Sequence, residues 1–144
     1  MPKKTDASKP QSILVDTLFS HPMGAVEGFT FDSSVAAVFP DMIQRSVPGY
    51  STVVAISGVL AQRFSQPATR LYDLGCSLGA TSFSMAQSAA TDCELIAVDN
   101  STAMLDQLST TLSQQTLPTA ITLVNDDINA VTIDNASVVA LNYT

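Results

Sequence analysis

The spacing of apolar residues changes along the chain from about 3.6 to nearly continuous and back, and that alternation predicts its elements. Phe31-Asp32-Ser33-Ser34 offers a cap, and Val35, Ala36, Val38 and Phe39 follow at helical spacing until Pro40, which predicts a short helix ending at the proline. Asp41 to Ser46 adds a further turn before Val47-Pro48-Gly49-Tyr50, where a proline-glycine pair breaks the path. Val53, Val54, Ile56, Val59, Leu60 and Phe64 then share one broad face. They predict an amphipathic helix over about 51–64 that packs that face on a sheet.

Four short apolar runs follow, each separated by polar or helical text. Residues 71–74 read as a strand, and a helix is expected over about 78–90, with Phe83 and the alanines inward and Thr91-Asp92 closing it. Glu94-Leu95-Ile96-Ala97-Val98-Asp99 is nearly all apolar before its final acid, as suits a parallel strand buried on both faces. Ser101 can cap a helix carrying Met104, Leu105, Leu108 and Leu112 on one face. Residues 120–124 and 137–142 complete the set of strands.

Strands alternating with helices predict an α/β fold, a doubly wound Rossmann-like sheet of about four parallel strands with right-handed crossovers. The expected organisation is a flexible tail over 1–12, a helical segment over 13–69 and a partial Rossmann-like domain over 70–144. The last strand is apolar, yet no helix or further strand follows to cover it. The expectation is therefore that these residues are the N-terminal part of a larger domain.

Composition narrows the function classes. Thirteen acids against six lysines and arginines give a net charge of −7 over 144 residues, so no basic stripe exists to track phosphates, and direct nucleic-acid binding is not expected. No apolar run reaches the roughly 18 residues of a membrane span, and the N-terminus lacks an apolar signal core, which makes the cytoplasm the expected location. Cys76 and Cys93 stand at neither metal nor redox-motif spacing and read as reduced thiols. His21 is the single histidine, leaving little for a histidine-based metal site, and no metal is expected.

The candidate chemistry centres on Asp73-Leu74-Gly75-Cys76-Ser77-Leu78-Gly79, an acid and two glycines after a strand. Three chemistries compete for it. A dinucleotide fingerprint fails on spacing and sign: the second glycine that admits a pyrophosphate is missing, and Asp73 would set a carboxylate beside that anion. Gly75-Cys76-Ser77-Leu78-Gly79 also matches the Gly-x-Ser-x-Gly nucleophile elbow, but its general base should be a histidine after the serine, and His21 precedes it. The third candidate takes the acids themselves as the signal. Asp73 and Asp99 end the first two strands and Asp127 follows the third, and all three meet at one edge of the sheet, where such folds bind ligands. Asp99 can accept from two ribose hydroxyls, Asp127 from an adenine amino group, and Asp73 tolerates an ammonium and a sulfonium. That pattern points to S-adenosylmethionine. Cys76 reads as a small turn residue, and Tyr50 is placed by Pro48-Gly49 either to fill core or to face the ligand.

Beyond the fold class, Phe31-Asp32, the run from Val38 to Tyr50 (VFPDMIQRSVPGY), the run from Tyr72 to Ala80 (YDLGCSLGA), Asp99-Asn100-Ser101 and Leu141-Asn142-Tyr143-Thr144 together resemble the carboxy-S-adenosyl-L-methionine synthase family. The likeness covers about 16–144, and the Val38 to Tyr50 run is its most specific part. It implies a class I methyltransferase-like fold whose members do not transfer the methyl group. They convert S-adenosylmethionine and prephenate to carboxy-S-adenosylmethionine and phenylpyruvate, and a partner enzyme uses the product on the wobble uridine of tRNA. The sulfonium acidifies its methyl group, and prephenate gains aromaticity as it gives up carbon dioxide.

The resemblance implies cofactor contacts from Tyr50, Gly75, Cys76, Ser77, Asp99, Asn100, Asp127, Ile128 and Asn142, with S-adenosylmethionine as substrate and carboxy-S-adenosylmethionine as product. It also implies homodimers and leaves the catalytic base unassigned. Two departures stand out. Asp126 occupies a position that is often glycine in the family, adding charge at the adenine end, and the downstream arginine that holds the product carboxylate has no counterpart before Thr144. Weak cofactor binding or none, and no completed carboxyl transfer, are the expectation for these 144 residues.

Overall fold

The computed structural model describes residues 33–144. The tail expected over 1–12, His21 and the Phe31-Asp32 start of the first helix lie outside the described residues. The elements run α1 (Ser33–Ser46), α2 (Tyr50–Phe64), β1 (Arg70–Leu74), α3 (Ala80–Ala86), β2 (Glu94–Asp99), α4 (Thr102–Leu112), β3 (Ala120–Asn125) and β4 (Ala136–Ala140). The four strands form one sheet in the order β3-β2-β1-β4, and every neighbouring pair is parallel. The chain winds outward from β1 to β3 and then returns to the far side of β1. This reversal opens a crevice beyond the carboxyl ends of the strands, where folds of this type hold ligands.

The alternation of side chains across the strands builds two apolar layers. On one face Leu71, Leu95 and Ala97 are fully buried with Ala61, Met85, Ala86 and Leu108 from α2, α3 and α4, and Val138 and Ala140 of β4 pack against them. On the other, Tyr72, Leu74 and Val98 meet Ile128 and Val131 of the segment between β3 and β4. Helices therefore cover one face and a connecting segment the other. β4 is an edge strand in which Val139 stays 42% exposed.

Three expected features differ. α1 does not end at Pro40 but runs through it to Ser46. Val35, Ala36 and Phe39 before the proline and Met42 and Ile43 after it all join Met104 and Leu78 in one cluster, and that shared burial outweighs the hydrogen bond that proline cannot donate. α3 is shorter than expected, seven residues, because Gly79 at φ 80° starts it and Ser65 Oγ accepts the Ala90 N–H at 2.8 Å, drawing the chain out of the helical path.

The third difference concerns α2. Most of its broad apolar face is exposed: Ile56 is 49%, Val59 61%, Leu60 45% and Phe64 53% accessible, while Val53 and Val54 are half-buried. The buried side is instead the narrow one of Gly58 and Ala61, which lies against α3. A Cβ on Gly58 would stand 2.8 Å from the Ser84 carbonyl oxygen, so the missing side chain sets how closely the two helices approach. Periodicity located the helix; small-residue packing chose its buried face.

Candidate functional site

The carboxyl ends of β1, β2 and β3, with the residues after β4, enclose two adjoining cavities. The larger, about 350 Å³, is lined by Gly75, Ser77, Asp99, Asn100, Asp126, Asp127, Ile128, Asn129, Tyr143 and Thr144. The smaller, about 180 Å³, is lined by Phe39, Met42, Ile43, Tyr50, Asp73, Gly75, Cys76, Ser77, Ala80, Thr81, Asn142 and Tyr143. They share Gly75, Ser77 and Tyr143. Every cofactor residue expected from the sequence lines one cavity or both, and the turn after β1 is their common wall.

The conformation of that turn decides what it can hold. Gly75 and Gly79 sit at φ 79° and 80°, and Ser77 at 49°, a left-handed path that brings the backbone close to both cavities. Gly75 and Cys76 both donate to Val98 O, at 2.8 and 2.9 Å, and Gly79 donates to Cys76 O at 2.8 Å. Ser77 donates its N–H to Asp99 Oδ2 at 2.8 Å. A phosphate cradle needs such N–H groups free and pointing at the anion. Here those of Gly75, Cys76, Ser77 and Gly79 are spent, and the walls offer carboxylates. The arrangement favours a ligand that donates hydrogen bonds and carries positive charge.

Asp99 is 8% exposed, and its second oxygen accepts the Ser101 N–H at 2.8 Å. Each carboxylate oxygen keeps lone-pair capacity for a hydroxyl from the larger cavity. Ser101 caps α4 as expected, accepting from Met104 N. Asp127 Oδ1 accepts from both the backbone and the side chain of Asn129 at 2.8 Å, and these bonds hold its carboxyl below the usual range.

Asp73 is 1% exposed and accepts from Ser82 Oγ of α3. Burial is the main reason its carboxyl is pushed up to about 6, against the opposing effect of the Ser82 bonds. Burial, then Asp73 and Tyr143, raises the Tyr50 phenol, whose ring centroid lies 5.9 Å from that of Tyr143. Burial and then the charges of Asp73 and Asp99 push the Cys76 thiol far up, so it stays protonated and is no nucleophile. Both cysteines are free thiols. For a serine nucleophile at Ser77, the single histidine lies outside the described residues.

Among the described residues, no arginine or lysine lines either cavity. Arg45 pairs with Asp41, Arg70 with Asp134 and Glu94, and Arg63 lies over the Phe64 ring. No group of three or more His, Cys, Asp or Glu among these residues is placed to hold a metal ion. No helix among them is long and apolar enough to cross a membrane.

Sequence reasoning left Asn129, Tyr143 and Thr144 out of the site. Thr144 Oγ1 donates to Leu74 O at 2.8 Å, and a Cβ on Gly75 would come within 2.4 Å of that hydroxyl. The available signal was positional: 141–144 follow β4 at the same sheet edge where Asp73 and Asp99 end their strands and Asp127 follows β3, but without a carboxylate to mark the place.

A parallel sheet with this strand order, a glycine turn and acids at its carboxyl ends is an α/β domain of the methyltransferase type, with its crevice where such folds bind ligands. The methyltransferase domain family matches residues 71–142, and the chain belongs to that family. The carboxy-S-adenosyl-L-methionine synthase of Klebsiella pneumoniae is 51% identical over 130 residues, and that of Shigella sonnei 50%. Each match covers 90% of this chain and 53% of the relative, so the chain spans about half the length of the curated relatives it matches. A Methanococcus maripaludis structure assigned as an S-adenosyl-L-methionine-dependent methyltransferase superposes with a TM-score of 0.61 at 22% identity, over 81% of this chain and 52% of that one. The last of these bears on the fold alone.

Proposed function

We propose that the protein acts as a carboxy-S-adenosyl-L-methionine synthase, converting S-adenosylmethionine and prephenate to carboxy-S-adenosylmethionine and phenylpyruvate for modification of the tRNA wobble uridine. The larger cavity takes the adenosine, with Asp99 and Asn100 at the ribose and Asp127 and Ile128 at the adenine. Gly75, Cys76, Ser77 and Asn142 approach the methionyl end, and Tyr50 stands over it. Asp73 supplies the negative charge that a sulfonium and an ammonium favour. The bound sulfonium acidifies the methyl group that is carboxylated, and the chain's own residues orient it and limit water.

One observation carries this choice over an ordinary methyltransferase. Phe39, Met42, Ile43 and Tyr50 line the smaller cavity, which adjoins the nucleoside cavity at Gly75 and Ser77. They belong to the Val38 to Tyr50 run, the segment most specific to the synthases, so the family-specific residues stand where the second substrate would meet the cofactor. The reaction is a small-molecule one in the cytoplasm, carried out by a homodimer, with tRNA contacted by the partner enzyme; the acidic composition supports that division.

The absence of a cation from both cavities among the described residues favours a second reading for the 144 residues alone, a cofactor-binding unit without turnover. Incubation with methyl-labelled S-adenosylmethionine and prephenate separates the cases. The expected result for the 144 residues alone is labelled S-adenosylmethionine bound and recovered unchanged, with neither carboxylated product nor label on an acceptor. Carboxy-S-adenosylmethionine in the products would establish the synthase activity and overturn the second reading, and label moved to a methyl acceptor would overturn the synthase assignment.

A further inference from the structure

Asn142, just after β4, reaches into the gap between two helices. Its Nδ2 donates to Ser57 Oγ of α2 at 3.0 Å and to Thr81 Oγ1 of α3 at 3.1 Å. Ser57 Oγ itself donates to Val53 O at 2.9 Å. A serine hydroxyl has a single proton. Once that proton is committed to Val53, Ser57 can only accept, and the atom facing it must be the amide nitrogen of Asn142. The hydrogen-bond network thereby fixes which way the amide is turned, a choice that shape alone leaves open.

Both Nδ2 protons are used in these two bonds, so Oδ1 remains as an acceptor. Among the described residues no buried side-chain oxygen or nitrogen lacks a partner, and Oδ1 has none within the chain, so it is accessible rather than sealed in the core. Asn142 and Asp73 line the same small cavity; the register of β1 on β4 sets Asp73 beside Ala140, two residues before Asn142. Together they offer an acceptor and an acid, and neither presents a donor.

We infer that Ser57 and Thr81 are positioning residues: they orient Asn142 so that Oδ1 accepts from the amino group of an adenosyl amino acid, and the small cavity thereby selects ligands with a donor at that point. The inference rests on the cofactor assignment made above. Neither hydroxyl need touch the ligand. Their effect is transmitted through the amide they hold, and loss of either frees it to turn and present its NH2 to an ammonium instead.

Titration calorimetry on the 144-residue chain with two probes tests this. S-adenosylhomocysteine carries the amino acid, and 5′-methylthioadenosine shares the nucleoside and sulfur but lacks the amino-acid moiety with its α-amino group. Ser57→Ala and Thr81→Val are each expected to weaken S-adenosylhomocysteine roughly 5- to 20-fold and leave methylthioadenosine unchanged, while Thr81→Ser, which keeps the hydroxyl, stays near wild type. Unchanged affinity for S-adenosylhomocysteine in both variants, or equal weakening of both probes, overturns the inference alone. A wild-type chain that binds neither probe overturns the cofactor assignment and the inference with it.

Discussion

Asp99 Oδ2 accepts the backbone N–H of Ser77 at 2.8 Å, tying the end of β2 to the turn after β1 across 22 residues of sequence. The carboxylate that lines the larger cavity, proposed above to meet the ribose, is also the brace that shapes the glycine turn. Asp99→Ala therefore removes two things at once. Charge-assisted bonds of this kind contribute on the order of 1 to 3 kcal/mol, so the variant should lose adenosine affinity by about tenfold or more and also unfold at lower denaturant. Asp99→Asn, which can accept only on one side, should fall between. Calorimetry and urea titration on the three chains check both effects.

Asp73 gives opposite pH dependences for folding and binding. Its folded carboxyl titrates near 6 instead of 3.8 because burial penalises the charge, with Ser82, Asp99 and Tyr50 as its polar surroundings. Between those values the folded chain holds a proton that the unfolded chain has released, so its contribution to stability falls as pH rises through that window. A two-unit shift corresponds to roughly 3 kcal/mol. The difference in stability between wild type and Asp73→Asn should therefore shift in favour of the variant from pH 4 to 6.5. Affinity for S-adenosylmethionine should instead rise over the same interval in wild type, as the carboxylate forms, and stay flat in Asp73→Asn.

Gly58→Ala reverses the usual rule for helices. In an exposed helix interior, alanine for glycine stabilises by about 1 kcal/mol. Here the new Cβ meets Ser84 Oγ at 2.4 Å and Ser84 O at 2.8 Å, and the latter is backbone. The variant is expected to lose about 1 to 3 kcal/mol as α2 and α3 separate. Urea unfolding gives the sign directly.

Val59 supplies the matching control on the opposite side of α2. At 61% exposure, Val59→Gln should change stability by less than about 0.5 kcal/mol, although the apolar spacing alone predicts a core position. A loss of several kcal/mol in the same titration would mean that this face is covered.

The contrast between Gly58 and Val59 shows what the text of the chain carries. Runs such as Leu95-Ile96-Ala97-Val98 are apolar on both faces because the strand is central, so β1, β2 and their acids were legible from residue order alone. The buried face of α2 was not, since it depends on a glycine that fits against Ser84, a residue 26 positions away. Pro40 misled for a related reason: its local effect was readable, and the burial of Phe39, Met42 and Ile43 with Met104 that overrides it was not. At the site, Asp99 and Asp127 announced themselves by charge. Tyr143 and Thr144 did not, because nothing local in Leu141-Asn142-Tyr143-Thr144 reveals that the path after β4 folds over Gly75.

The central claim is that the walls around Gly75 and Ser77 select a cationic adenosyl ligand over a phosphate-bearing one. Parallel calorimetric titrations of the chain with S-adenosylmethionine and with NAD test it most directly. Saturable binding of S-adenosylmethionine, with a Kd in roughly the 10 μM to 1 mM range, and no measurable binding of NAD is the predicted result. NAD binding as tightly as S-adenosylmethionine, or no binding of S-adenosylmethionine at millimolar concentration, would contradict it.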